Sequence, residues 1–167
     1  MILSDRTIYD TIVNKGIYLV NPFNEEYLQP NSIDLHLGRE LKTVRGKCID
    51  LKGQSYKIKP NEFLLGSTEE RIAMPHDLCG HIDGKSSIGR LGVFVHISSG
   101  FIDSGFVGNA TLEIYNCSDK EFELTNHMPI CQILFETLTT SVAMPYGTRD
   151  NHYQHSHGTV LSKWGDD

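Results

Sequence analysis

The stretch GFIDSGFVGNATLEIYN, Gly100 to Asn116, reads as a turn followed by a strand, with a carboxylate, Glu113, in the middle of the strand. Side chains alternate across a strand, so Asn109, Thr111, Glu113 and Tyr115 share one face while Ala110, Leu112 and Ile114 share the other. The apolar face belongs in a core. The other face carries an amide, a hydroxyl, a carboxylate and a phenol, which suits either a solvated surface or the wall of a polar pocket.

Working outward from this strand, SIDLHLG, CIDLK, YKIKP, FLLGST, ERIAMP, CGHID, GVFVHI, FELTN and CQILFETLTT are further short β-rich runs separated by Gly, Pro and Asn. Strands at this spacing predict an all-β barrel or sandwich. One clear helix is expected: Ser4 caps DRTIYDTIVNKG, with Ile8, Ile12 and Val13 on one face and Gly16 just past the end. GKSSIGRLG is sparse in apolar residues and can open a short helical turn. The polar, glycine-punctuated end, YGTRDNHYQHSHGTVLSKWGDD, predicts a tail over about 146–167 that orders only against something.

The length of 167 residues fits one domain spanning 1–167. A formal net charge of -6 argues against nucleic acid as the main partner, which would need clustered cations. Cys48, Cys79, Cys117 and Cys131 are scattered without a C-x-x-C pair, and Asp5 stands where a signal peptide needs its apolar run. A reduced, cytoplasmic protein is expected. No run approaches the roughly 20 apolar residues that cross a bilayer, so no membrane partner is expected.

GKSSIGR carries hydroxyls, two cations and candidate helix-start amides, the groups that hold a phosphate; the same composition also suits a solvated loop. Asp103 in GFIDSG can accept from a sugar hydroxyl or close an Asx-turn.

Taken in order and spacing, QPNSIDLHLG, FLLGSTEERIAMP, GKSSIGRLG, VHISSGFIDSGFVGNATLEIYN and CQILF resemble the dCTP deaminase family, a branch of the dUTPase-like superfamily. The resemblance runs from Met1 to about Val160. It implies a mainly β, dUTPase-like distorted barrel of the jelly-roll or β-clip type, with a short N-terminal helix and few other helical turns. It also implies a homotrimer with pockets between subunits and a C-terminal tail that closes over the nucleotide. The implied activity is metal-independent hydrolytic deamination of a deoxycytidine nucleotide, dCTP to dUTP and onward to dUMP in bifunctional members, feeding dUMP and dTTP synthesis. Rival readings are a dCMP deaminase, a dUTP diphosphatase, whose glycine-rich C-terminal motif is absent here, and a non-catalytic nucleotide sensor.

Site residues follow from the same resemblance. Glu113 matches the general base, Ser86 helps hold the attacking water, and Lys85, Ser86, Ser87 and Arg90 match phosphate contacts, Arg90 also counting among the catalytic groups. Asp103 matches the deoxyribose contact, and Ser99, Thr111, Gln132, Tyr146, His152 and Ser156 match nucleotide-contacting positions. Magnesium would arrive on the phosphates, and dTTP is a candidate feedback inhibitor. No protein-bound metal is expected: zinc deaminases need H-x-E and P-C-x-x-C, and here Pro129-Ile130-Cys131 is followed by Gln132 without a second cysteine.

Departures from the family pattern are local. His152 and Ser156 stand where the family commonly has lysine and glutamine over the outer phosphates, so a permanent cation becomes a titratable one. The HYQHSH run also admits a metal-site reading. Ser99 replaces the usual alanine, whereas Gly89, Gly100 and Phe101 look more like the bifunctional members.

Overall fold

The computed structural model describes residues 1–98, 100–148 and 152–164. Its strands are β1 (Val20–Asn21), β2 (Leu28–Gln29), β3 (Ser32–His36), β4 (Glu40–Lys42), β5 (Cys48–Asp50), β6 (Ser55–Ile58), β7 (Phe63–Ala73), β8 (Leu78–Gly84), β9 (Val93–Val95), β10 (Phe101–Ile102), β11 (Val107–Asn116), β12 (Phe122–Thr125) and β13 (Pro129–Thr137). One sheet runs β5-β4-β7-β11-β9 with β1 beside β7, a second runs β10-β8-β13-β3-β2, and β12 pairs with β6 as a separate ribbon. A bridge between Leu37 and Thr68 pins the first sheet to the end of β3. No ladder among the described strands closes the barrel, so the β-rich expectation takes the form of an open clip of two sheets.

The Gly100–Asn116 stretch forms the expected turn and strand. Ala110, Leu112 and Ile114 are buried, and Thr111, Glu113 and Tyr115 are half-buried, as period-two alternation requires. Leu112 and Ile114 join a core that draws Leu41, Leu64 and Ile72 from the first sheet and Leu35, Ile133 and Phe135 from the second. Full burial of a leucine side chain stabilises by about 2 kcal/mol, and the cavity left by truncation adds to the loss. Leu112→Ala is therefore expected to cost about 2–5 kcal/mol, read as a lower urea midpoint at unchanged slope.

Several local expectations are corrected. FLLGST and ERIAMP form a single strand, β7; Gly66 there is no turn residue but sits where a Cβ would meet Leu37 Cδ1 at 2.9 Å and Ile114 Cδ1 at 3.0 Å. GVFVHI gives only β9, because His96 takes φ +65° and turns the chain out of the sheet. The helix is α1 (Asp5–Tyr9), which runs on as a π-turn over Asp10–Asn14. The wider turn shifts the helical phase, so Thr11 is buried and Val13, expected on the apolar face, is exposed. The short helical turn in GKSSIGRLG is present as α2 (Ser86–Gly89). Among the described residues no helix is long and apolar enough to cross a membrane.

Candidate active site

Glu113 lies on β11 opposite Leu65 of β7, and Tyr115 lies opposite Phe63. These apolar neighbours leave the Glu113 carboxylate half-buried beside a wall of Leu65 and Phe63. After β9, the His96 N–H donates to the Glu113 carbonyl at 2.8 Å, and the left-handed His96 backbone brings the next segment across the carboxylate. Ser98 then holds both carboxylate oxygens: its N–H donates to Oε2 at 3.0 Å and its hydroxyl to Oε1 at 3.0 Å. Two donors from one residue fix both the rotation and the tilt of the carboxylate, and hydrogen bonds to an ionised acceptor are the stronger kind. Ser98→Ala is expected to lower kcat about tenfold with KM nearly unchanged, and Ser98→Thr to retain activity. Equal losses in the alanine and threonine variants would separate Ser98 from the carboxylate's orientation.

Glu113 stands in a cleft of about 530 Å³ that also takes in Asp103, Thr111, Tyr146, Tyr153 and Ser156. Asp103 is exposed at the start of a turn closed by Phe106 N–H to Asp103 O at 3.1 Å; Gly105 in that turn has φ +89°. A Cβ on Gly105 would meet Pro145 Cβ at 2.6 Å, so glycine also lets the 145–146 segment approach. There Tyr146 packs edge-on against Phe106, with ring centroids 5.6 Å apart. Burial pushes the Tyr146 phenol up from its ordinary range and the Asp103 charge adds to this, against the Tyr153 N–H it accepts, so it remains a neutral hydroxyl at pH 7.

The tail lies along β11. His155 N–H donates to Val107 O at 2.8 Å, Ser156 hydroxyl to Asn109 O at 2.7 Å, and Val160 N–H to the Thr111 hydroxyl at 3.2 Å. Gln154 adds bonds to Val107 N–H and Gly105 O, both at 2.9 Å. Asn109 lines the cleft as expected and also fills the β7 bulge: its amide donates to the carbonyls of Thr68, Glu69 and Glu70 at 3.0–3.1 Å. Its Oδ1 remains at the cleft and accepts from Gly158 N–H at 3.2 Å.

The other sequence-derived residues lie apart from this cleft in the single chain. Lys85 caps α2 and pairs with Asp34 of β3, while Gln132 on β13 accepts from the Ser32 hydroxyl at 3.0 Å. Asp34 also accepts from Gln29, and its second oxygen is buried with no hydrogen-bond partner among the described residues. Ser86 and Ser87 open α2, Arg90 ends it, and none of the three lines the cleft. His152 is exposed, its ring against Tyr153 with centroids 6.1 Å apart. Ser99 lies outside the described residues. No group of three or more His, Cys, Asp or Glu side chains among the described residues converges as a metal site, the tail histidines included.

Sequence reading did not single out Ser98 or Tyr153. The SS pair in VHISSG pointed to Ser99, and only the turn at His96 reveals that Ser98 faces Glu113.

Residues 2–138 match the dCTP deaminase-like family. The chain is 40% identical to a dUMP-forming dCTP deaminase of Methanothermobacter thermautotrophicus, over 91% of this chain and 88% of that protein. It is 38% identical to the Methanobrevibacter smithii protein of the same name, over 87% and 85%. Among solved structures it resembles a 2'-deoxycytidine 5'-triphosphate deaminase from Agrobacterium tumefaciens, with TM-score 0.69 and 22% identity over 81% of this chain, and it spans 48% of that longer one. It also resembles the EIAV dUTPase, with TM-score 0.52 and 17% identity over 80% and 93% of the two chains. The chain belongs to the dCTP deaminase-like family.

Proposed function

We propose that this chain hydrolytically deaminates dCTP and carries the product on to dUMP, with Glu113 as general base. The observation that carries the reading is the Glu113 carboxylate, held on both oxygens by Ser98 at the floor of a cleft that also presents Asp103 and Tyr146. Glu113 takes a proton from water as its oxygen attacks C4 of the cytosine ring, then delivers that proton toward the departing amino group, giving uracil and ammonia. Asp103 accepts from the sugar hydroxyl and Tyr146 packs beside the sugar. The onward step, water cleaving dUTP to dUMP and pyrophosphate, is favoured by the relatives named as dUMP-forming.

Phosphates need cations, and the described cleft lining contains no lysine or arginine. In this reading Lys85, Ser86, Ser87, Arg90 and Gln132 complete the site from a second copy of the chain within a homotrimer, and the tail closes over the nucleotide. Leu91, Phe94, Ile97 and Phe101, apolar side chains that are each more than half exposed except Ile97 at 50%, flank α2 and the Ser98 turn and suit coverage by another copy. Magnesium would enter bound to the phosphates and neutralise their charge. Four unpaired cysteines suit a reducing compartment, in keeping with a cytoplasmic enzyme.

The test is to incubate purified protein separately with dCTP, dCMP and dUTP, with magnesium present and again after chelation and its restoration, and to resolve nucleotides and ammonia. dCTP should yield ammonia, pyrophosphate and dUMP. Absence of any uracil nucleotide from both cytosine substrates would overturn the deaminase reading, and turnover of dCMP alone would move the substrate to the monophosphate.

A further inference from the structure

The cleft around Glu113 holds two carboxylates, Asp103 and Glu113, and no lysine or arginine among its described lining residues, so a phosphorylated ligand meets like charge there. Two lysines of the same chain stand near the docked tail. Lys42 is committed: its ammonium pairs with Glu40 at 2.9 Å and donates to Thr159 O at 2.7 Å. Lys163 is different. Its ammonium donates to the backbone carbonyl of His152 at 2.6 Å and lies 5.8 Å from the Tyr153 ring centroid, with no carboxylate partner among the described residues. Its N–H also donates to the Tyr153 hydroxyl at 3.1 Å.

These contacts tie residues 152–153 to residue 163, so the intervening tail is a closed loop whose inner side, Tyr153, Ser156 and Leu161, walls the cleft. A carbonyl and an aromatic face hold an ammonium in place without neutralising it, and two of its three N–H donors stay available. Resting on the nucleotide reading above, we infer that Lys163 is a phosphate-binding residue of the tail, presenting a permanent cation beside Tyr153 to the phosphate chain of a nucleotide whose base lies against Glu113. His152 contributes its backbone carbonyl as the support for that cation. Closure of the tail and recognition of the phosphates are then one event, because the residue that latches the loop also carries the charge.

Binding is measured separately for deoxycytidine, dCMP and dCTP in a Glu113→Gln background, which removes turnover, with Lys163 intact, Lys163→Met and Lys163→Arg. Lys163→Met should weaken dCTP by about tenfold and deoxycytidine by less than about twofold, and Lys163→Arg should restore dCTP binding. Equal weakening of all three ligands would show that Lys163 only latches the tail, and unchanged dCTP affinity would show that it does neither; both overturn the inference while leaving the deaminase reading in place. If none of the three ligands binds with Lys163 intact, the nucleotide reading itself falls, and the inference with it.

Discussion

Glu113→Gln is expected to lower deamination turnover by about three orders of magnitude while leaving the fold and nucleotide binding in place. The change is nearly isosteric, and the site can accommodate it. The amide oxygen still accepts from the Ser98 N–H, and the Ser98 hydroxyl, donating to Oε1 in the carboxylate form, turns to accept from the new NH2 group. What the proposed role would lose is the capacity to take a proton from water as it attacks the ring. The comparison is made by single-turnover deamination of dCTP alongside calorimetric binding of dCTP, since only the pair of measurements separates chemistry from occupancy. Retention of more than a few per cent of turnover would remove Glu113 from the role of base.

The strand that bears Glu113 was legible because its signal is local. Alternation over Ala110 to Tyr115 reports which side chains share a face, and the structure keeps that alternation. What Asn109 bonds to was not legible, because its surroundings are set elsewhere: it lines the cleft with Thr111 and Glu113, but the register with β7 shifts between Asn109 and Thr111, and the bulge at Thr68–Glu70 takes its amide. Val13 failed for a similar reason, since a π-turn cannot be told from an α-turn by the positions of three apolar residues. The need for glycine at position 66, inside the run FLLGST, was equally hidden: side chains from Leu37, Leu41 and Ile114, distant in sequence, fill the space a Cβ would occupy.

The site divides along the same line. Glu113, Asp103, Thr111, Tyr146 and Ser156 could be nominated from motifs, and the structure brings those five into one cleft. Ser98 could not, because no periodicity links a loop serine to a strand carboxylate fifteen positions later; the link is the left-handed turn at His96. Lys163 was equally silent, since its contacts depend on how the tail folds back on Tyr153. Sequence pattern reports faces and turns, whereas contacts between segments far apart in the chain depend on packing that the pattern does not encode.

Two separately crippled variants, Glu113→Gln and Arg90→Ala, should recover activity when unfolded together and refolded as mixed assemblies. Arg90 ends α2 outside the cleft that holds Glu113 in the same chain, and it is exposed there. If each site in a homotrimer takes Glu113 from one copy and Arg90 from the next, each variant alone has every site broken. Loss of the arginine's charge-assisted phosphate contacts should lower turnover by about a hundredfold, and loss of the base by more. In an equimolar random mixture about a quarter of the sites combine an intact Glu113 from an Arg90→Ala chain with an intact Arg90 from a Glu113→Gln neighbour. The mixture should therefore regain about a quarter of the unmutated activity, far above the sum of the two variants. If instead both groups act within a single chain, no chain in the mixture carries both, and none of that activity returns. Native mass spectrometry of the refolded material decides between the two cases: mixed trimers without recovered turnover exclude a site shared between copies.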